Sequence, residues 1–169
     1  SSWLFSILVV YSLCGGEVGA QGKWINGLGA RITYAYTKEQ LAKDKDGNSI
    51  NNQYIPARGH ALNVRMEYDR QISSNYGLNI GLQGRVLSGV ENVEYKDYYD
   101  VSKGTISVEY PAYTLWKLSL VQRIGKAVKV NAALDNLFGY KPKFYYLNSP
   151  ITDGVTFQIG VSIDIDKFF

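Results

Sequence analysis

The sequence predicts an all-β chain built as an antiparallel transmembrane β-barrel. Three observations carry that prediction: repeated strict alternation of apolar and polar residues, an alternation of short and long connections, and a long closing strand that ends in phenylalanine. Composition agrees. Fourteen Tyr, three Trp and six Phe accompany 17 Gly and only four Pro in 169 residues, a balance that favours strands and tight turns.

Period-2 alternation puts apolar and polar side chains on opposite faces of a strand, and it recurs seven times. From Ala61 to Asp69, Leu62, Val64, Met66 and Tyr68 oppose Asn63, Arg65, Glu67 and Asp69. From Tyr76 to Leu87, Leu78, Ile80, Leu82 and Val86 oppose Asn79, Gln83 and Arg85. Trp116, Leu118 and Leu120 oppose Lys117, Ser119 and Arg123, and Val128, Val130, Ala132 and Leu134 oppose Lys129, Asn131 and Asp135. Nearer the start, Val18, Ala20 and Trp24 oppose Glu17, Gln21 and Lys23, and Ala30, Ile32, Tyr34 and Tyr36 oppose Arg31, Thr33 and Thr37. Asn26-Gly27 between these two runs is the dipeptide favoured by a two-residue type I′ hairpin.

Connections alternate in length. Asn26-Gly27, the link around Ser73-Ser74-Asn75, and Ile124-Gly125-Lys126 are short; Lys38 to His60, Ser88 to Tyr113 and Phe138 to Gly154 are long. A barrel with tight periplasmic turns and longer extracellular loops has this rhythm, and it directs the C-terminus toward the periplasm. A soluble β-sandwich would also alternate, but full charges on successive polar faces suit a wet lumen. Tyr34, Tyr36, Tyr68 and Tyr76 near strand ends suit an interfacial girdle.

The longest alternation is Val155 to Phe169. Val155, Phe157, Ile159, Val161, Ile163, Ile165 and Phe169 form one row, with Thr156, Gln158, Ser162, Asp164 and Asp166 on the other. A tilted strand crosses the hydrocarbon layer in roughly nine to eleven residues, so this run is long enough. Gln158, Gly160, Ile163, Ile165 and Phe169 resemble the C-terminal signal read by the machinery that assembles outer-membrane barrels.

Other chemistry has little support. The net charge of +3 is small and the basic residues are scattered, which disfavours nucleic-acid binding. A single Cys, Cys14, excludes an internal disulfide framework and a cysteine-rich zinc site. No apolar run is long enough for a spanning helix, although Trp3 to Cys14, followed by Val18-Gly19-Ala20, has the length of a signal-peptide apolar region without its basic flank. Residues 1–15 therefore read as an apolar segment, strand or signal-like remnant, and residues 16–169 as the barrel region. Asp44-Lys45-Asp46-Gly47-Asn48-Ser49 resembles the start of a calcium loop, but the twelfth position is Ile55, so no metal site is expected. The sole histidine, His60, has no neighbouring triad signature, and no enzymatic activity or cofactor is expected.

Leu134-Asp135-Asn136-Leu137-Phe138-Gly139-Tyr140-Lys141-Pro142 resembles the penultimate-strand motif, Asp-Asn-Leu-Phe, of TonB-dependent outer-membrane receptors. Tyr34-Ala35-Tyr36-Thr37 and Ile55-Pro56-Ala57-Arg58-Gly59-His60 are similar to another stretch of those barrels. Tyr145 to Pro150 and Ile163 to Phe169 look most like receptors of the Bacteroides group. The resemblance covers roughly Gly16 to Phe169. It implies the C-terminal seven or eight strands of a 22-stranded barrel, with outer-membrane lipid and the assembly machinery as partners. It implies contact with the TonB complex only through an N-terminal plug region not visible in these residues. The cargo it implies is a large scarce nutrient such as a siderophore, haem or cobalamin. The other reading of the residues is a self-contained eight-stranded barrel, structural or adhesive, with Trp3 to Leu13 as first strand. Ligand-binding candidates are the aromatic or charged loop residues Tyr54, Arg58, His60, Tyr95, Tyr98, Tyr99, Tyr110, Tyr145 and Tyr146, since aromatic rings give broad contact at low entropic cost.

Overall fold

The computed structural model describes residues 4–12, 15–24, 26–38, 58–97, 99–142, 150 and 152–167. Its strands are β1 (Leu4–Ser12), β2 (Gly15–Lys23), β3 (Leu28–Thr37), β4 (His60–Ser73), β5 (Tyr76–Leu87), β6 (Val90–Tyr95), β7 (Thr105–Tyr110), β8 (Tyr113–Ile124), β9 (Val128–Asp135) and β10 (Thr156–Ile163). Eight of them form one antiparallel sheet in the order β1-β2-β3-β4-β5-β8-β9-β10, and β6 and β7 pair separately as a hairpin. Each neighbour in the large sheet is the next strand in the chain apart from that hairpin, so the topology is a simple meander.

Among the described residues the only other sheet is the two-stranded β6-β7 hairpin, too small to cover an eight-stranded sheet. Leu87 and Tyr110 are the only buried hydrophobic residues among those described. A soluble sandwich of this length would bury its apolar rows against each other, so that reading is set aside. Instead the apolar row lies open. Val18, Ile32, Met66, Ile80, Phe157, Ile159, Val161 and Ile163 are all exposed, and the ladder registers place the described apolar positions on one common face: Ile32 opposite Val64, Met66 opposite Leu82, Leu82 opposite Leu118, Leu118 opposite Leu134, and Leu134 opposite Phe157.

Local chemistry departs from the sequence expectation at four places. The Asn26-Gly27 turn is a three-residue loop, closed by the Trp24 amide donating to Leu28 O at 2.7 Å, with Gly27 at φ 90°. Asn26 is not at positive φ, so the two-residue type I′ geometry, which needs two such residues, does not form. Trp24 therefore lies just beyond β2. Second, β4 runs to Ser73 because its backbone continues past β3: the Asp69 amide donates to Gly27 O at 2.8 Å, and Gln71 still pairs with Gly77 on β5. Third, the long connection from Ser88 to Tyr113 carries the β6-β7 hairpin: β6 breaks alternation at Glu91-Asn92, whereas on β7 Ile106, Val108 and Tyr110 do alternate with Ser107 and Glu109, a signal that the reading of this stretch as a loop passed over; the Tyr110 hydroxyl donates to Glu94 across the hairpin.

Fourth, the closing strand stops at Ile163. Its partner β9 begins at Val128, directly opposite Ile163, so a longer β10 would have no ladder to join. The Asp164 amide donates to Ala127 O at 2.8 Å, and Ile165–Lys167 turn into a 3-10 helix. Ile165 is thus off the strand, and Phe169 lies outside the described residues. The tight loops at Gly27, Ser73 to Tyr76 and Gly125 gather at one end of the sheet together with this 3-10 helix; the long connections gather at the other.

Candidate functional site: the polar wall and its long-loop rim

The face opposite the apolar rows is polar across adjacent strands. Arg31 stands opposite Arg65, Arg65 opposite Gln83 and Gln83 opposite Lys117. One step toward the long-loop end, Thr33 stands opposite Asn63, Asn63 opposite Arg85 and Arg85 opposite Leu115. Lys117 and Asp135 form an ion pair at 3.0 Å, Arg65 and Glu67 one at 3.4 Å, and Arg123 and Asp69 one at 2.6 Å. Arg31, Arg65, Arg85 and Lys117 border a hollow of about 520 Å³. Sequence reading set these residues on the polar face but did not single them out, because their convergence depends on the register between strands, which a single strand's alternation does not contain.

At the rim, Arg58 binds protein rather than open space. Its guanidinium donates to Ser88 O at 2.5 Å and to Pro111 O at 2.8 Å, and lies 4.7 Å above the Tyr113 ring centroid. Tyr113 in turn stacks on Tyr140 with centroids 5.3 Å apart. Partial burial pushes the Tyr140 hydroxyl to a higher pKa than an ordinary tyrosine. This group ties the ends of β5 and β8 to the segment before β4 and the loop after β9.

His60 sits on the other face. It opens β4 opposite Tyr36 and continues the apolar row; Tyr34 Oη lies 2.6 Å from its Nδ1, and the Tyr36 ring centroid is 5.2 Å away. It is therefore part of the aromatic belt of Tyr34 and Tyr36, away from the polar wall. Tyr110 is buried and bonded to Glu94. Tyr95 is half-buried on β6, while Tyr99 is fully exposed beyond the hairpin strands. There Lys103 bonds Asp97 at 2.5 Å, the main reason the Asp97 carboxyl is held below the usual carboxylate range, helped by the Tyr99 amide at 2.9 Å. Tyr54, Tyr98, Tyr145, Tyr146 and the 44–55 segment lie outside the described residues.

The Asp-Asn-Leu-Phe segment has a structural task. Asn136, at φ 53°, is the one non-glycine residue at positive φ among those described. Its Nδ2 donates to Tyr140 O at 2.7 Å and to Thr152 Oγ1 at 2.9 Å, and its Oδ1 accepts from the Tyr140 amide at 2.9 Å. Asn tolerates the left-handed conformation and caps local backbone groups, so one side chain folds the start of the loop and ties it to its far end. Asp135 beside it points to Lys117 on the polar wall. Trp116 fills the outer face over Gly84, where a Cβ would come within 2.5 Å of the indole. On β10, Gln158 lies on the polar face and Gly160 leaves room for the Asn131 side chain, whose Nδ2 would be 2.7 Å from an added Cβ; Ile163 ends the exposed apolar row.

Comparison with known proteins agrees with this architecture. Residues 15–137 match the family model "TonB dependent receptor-like, beta-barrel". The chain belongs to that family, one of outer-membrane receptor and transport barrels rather than of enzymes. Its fold is similar to that of the FrpB iron transporter from Neisseria meningitidis (F3-3 variant), with a TM-score of 0.58 and 19% sequence identity. That likeness covers 88% of this chain and 23% of the transporter, so the chain spans about a quarter of that protein's length. No curated protein matches the sequence.

Proposed function

We propose that the chain forms the C-terminal wall, residues 16–169, of a receptor that imports a large, scarce solute through the outer membrane at the expense of energy delivered by the TonB complex. The observation that carries this reading is the family match over residues 15–137 on a sheet whose apolar row is covered by nothing in the described chain. The apolar row then faces lipid and the polar face lines an aqueous lumen. The short-turn end and the C-terminus face the periplasm, with the long loops outside. The terminal residues Gln158, Gly160, Ile163, Ile165 and Phe169 serve assembly. TonB acts through a plug region inside the barrel.

Closure requires further strands. The outer edges of β1 and β10 pair with no strand among the described residues, and unpaired backbone groups in lipid cost several kcal/mol each. β1 and β10 are not paired with each other, which disfavours a self-contained eight-stranded barrel. Iron-bearing solutes are the first class to test, since the structural neighbour is an iron transporter.

Uptake of labelled ferric siderophores, haem and cobalamin by cells carrying the full-length gene tests the proposal. The expected result is saturable uptake of one class that vanishes when TonB is deleted or the proton gradient is collapsed. Uptake indifferent to both would contradict it.

A further inference from the structure

Arg70 is the exception to the sorting of charge between the two faces. On the large-sheet strands every other Asp, Glu, Lys and Arg among the described residues has the parity of the polar face, from Glu17 and Lys23 on β2 to Lys129 and Asp135 on β9. Arg70 stands opposite Leu78, Leu78 opposite Gln122, Gln122 opposite Val130 and Val130 opposite Val161. It therefore belongs to the apolar face, and Gln122 shares its row. Arg70 is exposed and Gln122 half-buried. Neither side chain has an ion pair or a hydrogen bond among the described residues. Asp69, the adjacent acid, has the opposite parity and is held by Arg123 at 2.6 Å.

The level of Arg70 decides what it meets. A charge on the lipid side of a barrel is most unfavourable at the bilayer midplane and nearly neutral close to the headgroups. Arg70 lies about ten residues along β4 from His60, which opens the strand beside a long connection; that is roughly 33 Å at about 3.3 Å per residue. Tilted by about 40°, this length rises through roughly 25 Å, the height of the apolar band of such barrels. With His60 and Tyr36 at one border of the band, Arg70 falls at the other, at the short-turn end, and Val64 and Met66 occupy the middle. Tyr68 on the same strand and Tyr76 on the next lie near that border on the same face, where interfacial aromatics belong.

We propose that Arg70 and Gln122 form a headgroup site for a glycerophospholipid of the periplasmic leaflet. The guanidinium fork matches two oxygens of a phosphodiester, and the aliphatic stem stays with the apolar row while the charge reaches the interface. Gln122, two strands away at roughly 10 Å, donates to an ester carbonyl of the same lipid, and Leu78 between them meets its first methylenes. The site pins the wall at one level in the bilayer. The inference rests on the apolar row facing lipid with the short turns in the periplasm, as in the function proposed above, and not on the cargo or on what fills the lumen.

The test uses the full-length protein reconstituted into vesicles of equal parts phosphatidylethanolamine and phosphatidylglycerol, then released into mild detergent for native mass spectrometry. Wild type is compared with Arg70→Gln, Gln122→Leu and a Lys129→Gln control that removes a charge from the polar face at the same end of the sheet. The heat-modifiable gel band certifies folding. We expect the phospholipid-bound species to fall at least threefold in Arg70→Gln, to fall less in Gln122→Leu and to stay at the wild-type level in the control. Arg70→Lys, which keeps the charge without the fork, should retain an intermediate amount, and it replaces Arg70→Gln if that variant does not fold. Equal retention in wild type and both Arg70 variants, or an equal fall in the control, would overturn the site. A spin label at position 80 on the same face separates this result from failure of the wall reading. Lipid retention indifferent to Arg70, with the label favouring oxygen, overturns the site alone. A label favouring a water-soluble nickel chelate overturns the lipid-facing row and the site with it.

Discussion

At the scale of single residues, the rim is held by polar side chains turned inward on the protein. Asn136 carries three hydrogen bonds and a left-handed backbone. Asn136→Ala should destabilise the loop after β9 by about 1–3 kcal/mol, the cost of stranding partly buried partners, and speed protease cleavage between residues 137 and 154 without altering cleavage elsewhere. The Lys103 bond that lowers the Asp97 pKa has a signed pH dependence. Because the folded-state value is depressed, the contribution is present above the unfolded pKa and is lost as pH falls through the folded one. The Asp97 carboxyl should therefore titrate by NMR below an ordinary aspartate, and Lys103→Ala should raise its midpoint; an unmoved midpoint would remove Lys103 as the cause. Arg58 and His60 show what sequence could and could not reveal at this scale. Both are loop-adjacent and chemically versatile. Yet Arg58 is held by Ser88 O, Pro111 O and Tyr113, and parity puts His60 in the apolar row with Tyr36. Which partners an arginine finds 30 and 53 residues away is tertiary information, absent from the local sequence.

At the scale of elements, alternation predicted seven of the eight large-sheet strands, because a sheet with one apolar and one polar face writes that constraint residue by residue; β1, with its nearly continuous apolar run, read only as an apolar segment, strand or signal-like. Alternation failed where that constraint lapses. β6, paired only with β7 outside the large sheet, breaks alternation at Glu91-Asn92, and β7, which does alternate, runs for only six residues inside what reads as a loop. The end of β10 was set by where β9 starts, a property of the partner strand. A mid-strand charge separates the two faces of β10: Ile159→Arg should cost roughly 2–4 kcal/mol near the bilayer midplane, whereas Gln158→Arg on the polar face should be close to neutral, as measured by refolding into lipid vesicles. Equal penalties would mean that the faces are not differently solvated. Replacing residues 91–109 by a short Gly-Ser link should leave the heat-modifiable barrel intact, since a two-stranded hairpin adds no ladder to the large sheet; loss of the folded band would show that the hairpin braces the wall.

At the scale of the whole molecule, a single-layer sheet with almost no buried side chains is stable only if its surroundings supply what a core supplies elsewhere. In the proposed reading lipid covers the apolar row, and every interior strand of the large sheet has a partner on both sides. The central claim is therefore the two-sided solvation of the sheet, and site-directed spin labelling tests it most directly. With Cys14 replaced by Ser, single cysteines at positions 78 to 83 on β5 would be spin-labelled in the full-length protein in outer-membrane lipid and scored for collisions with oxygen and with a water-soluble nickel chelate. The account predicts period-two accessibility: oxygen favoured at 78, 80 and 82, the nickel chelate favoured at 79, 81 and 83. Equal nickel accessibility at all six positions would contradict it.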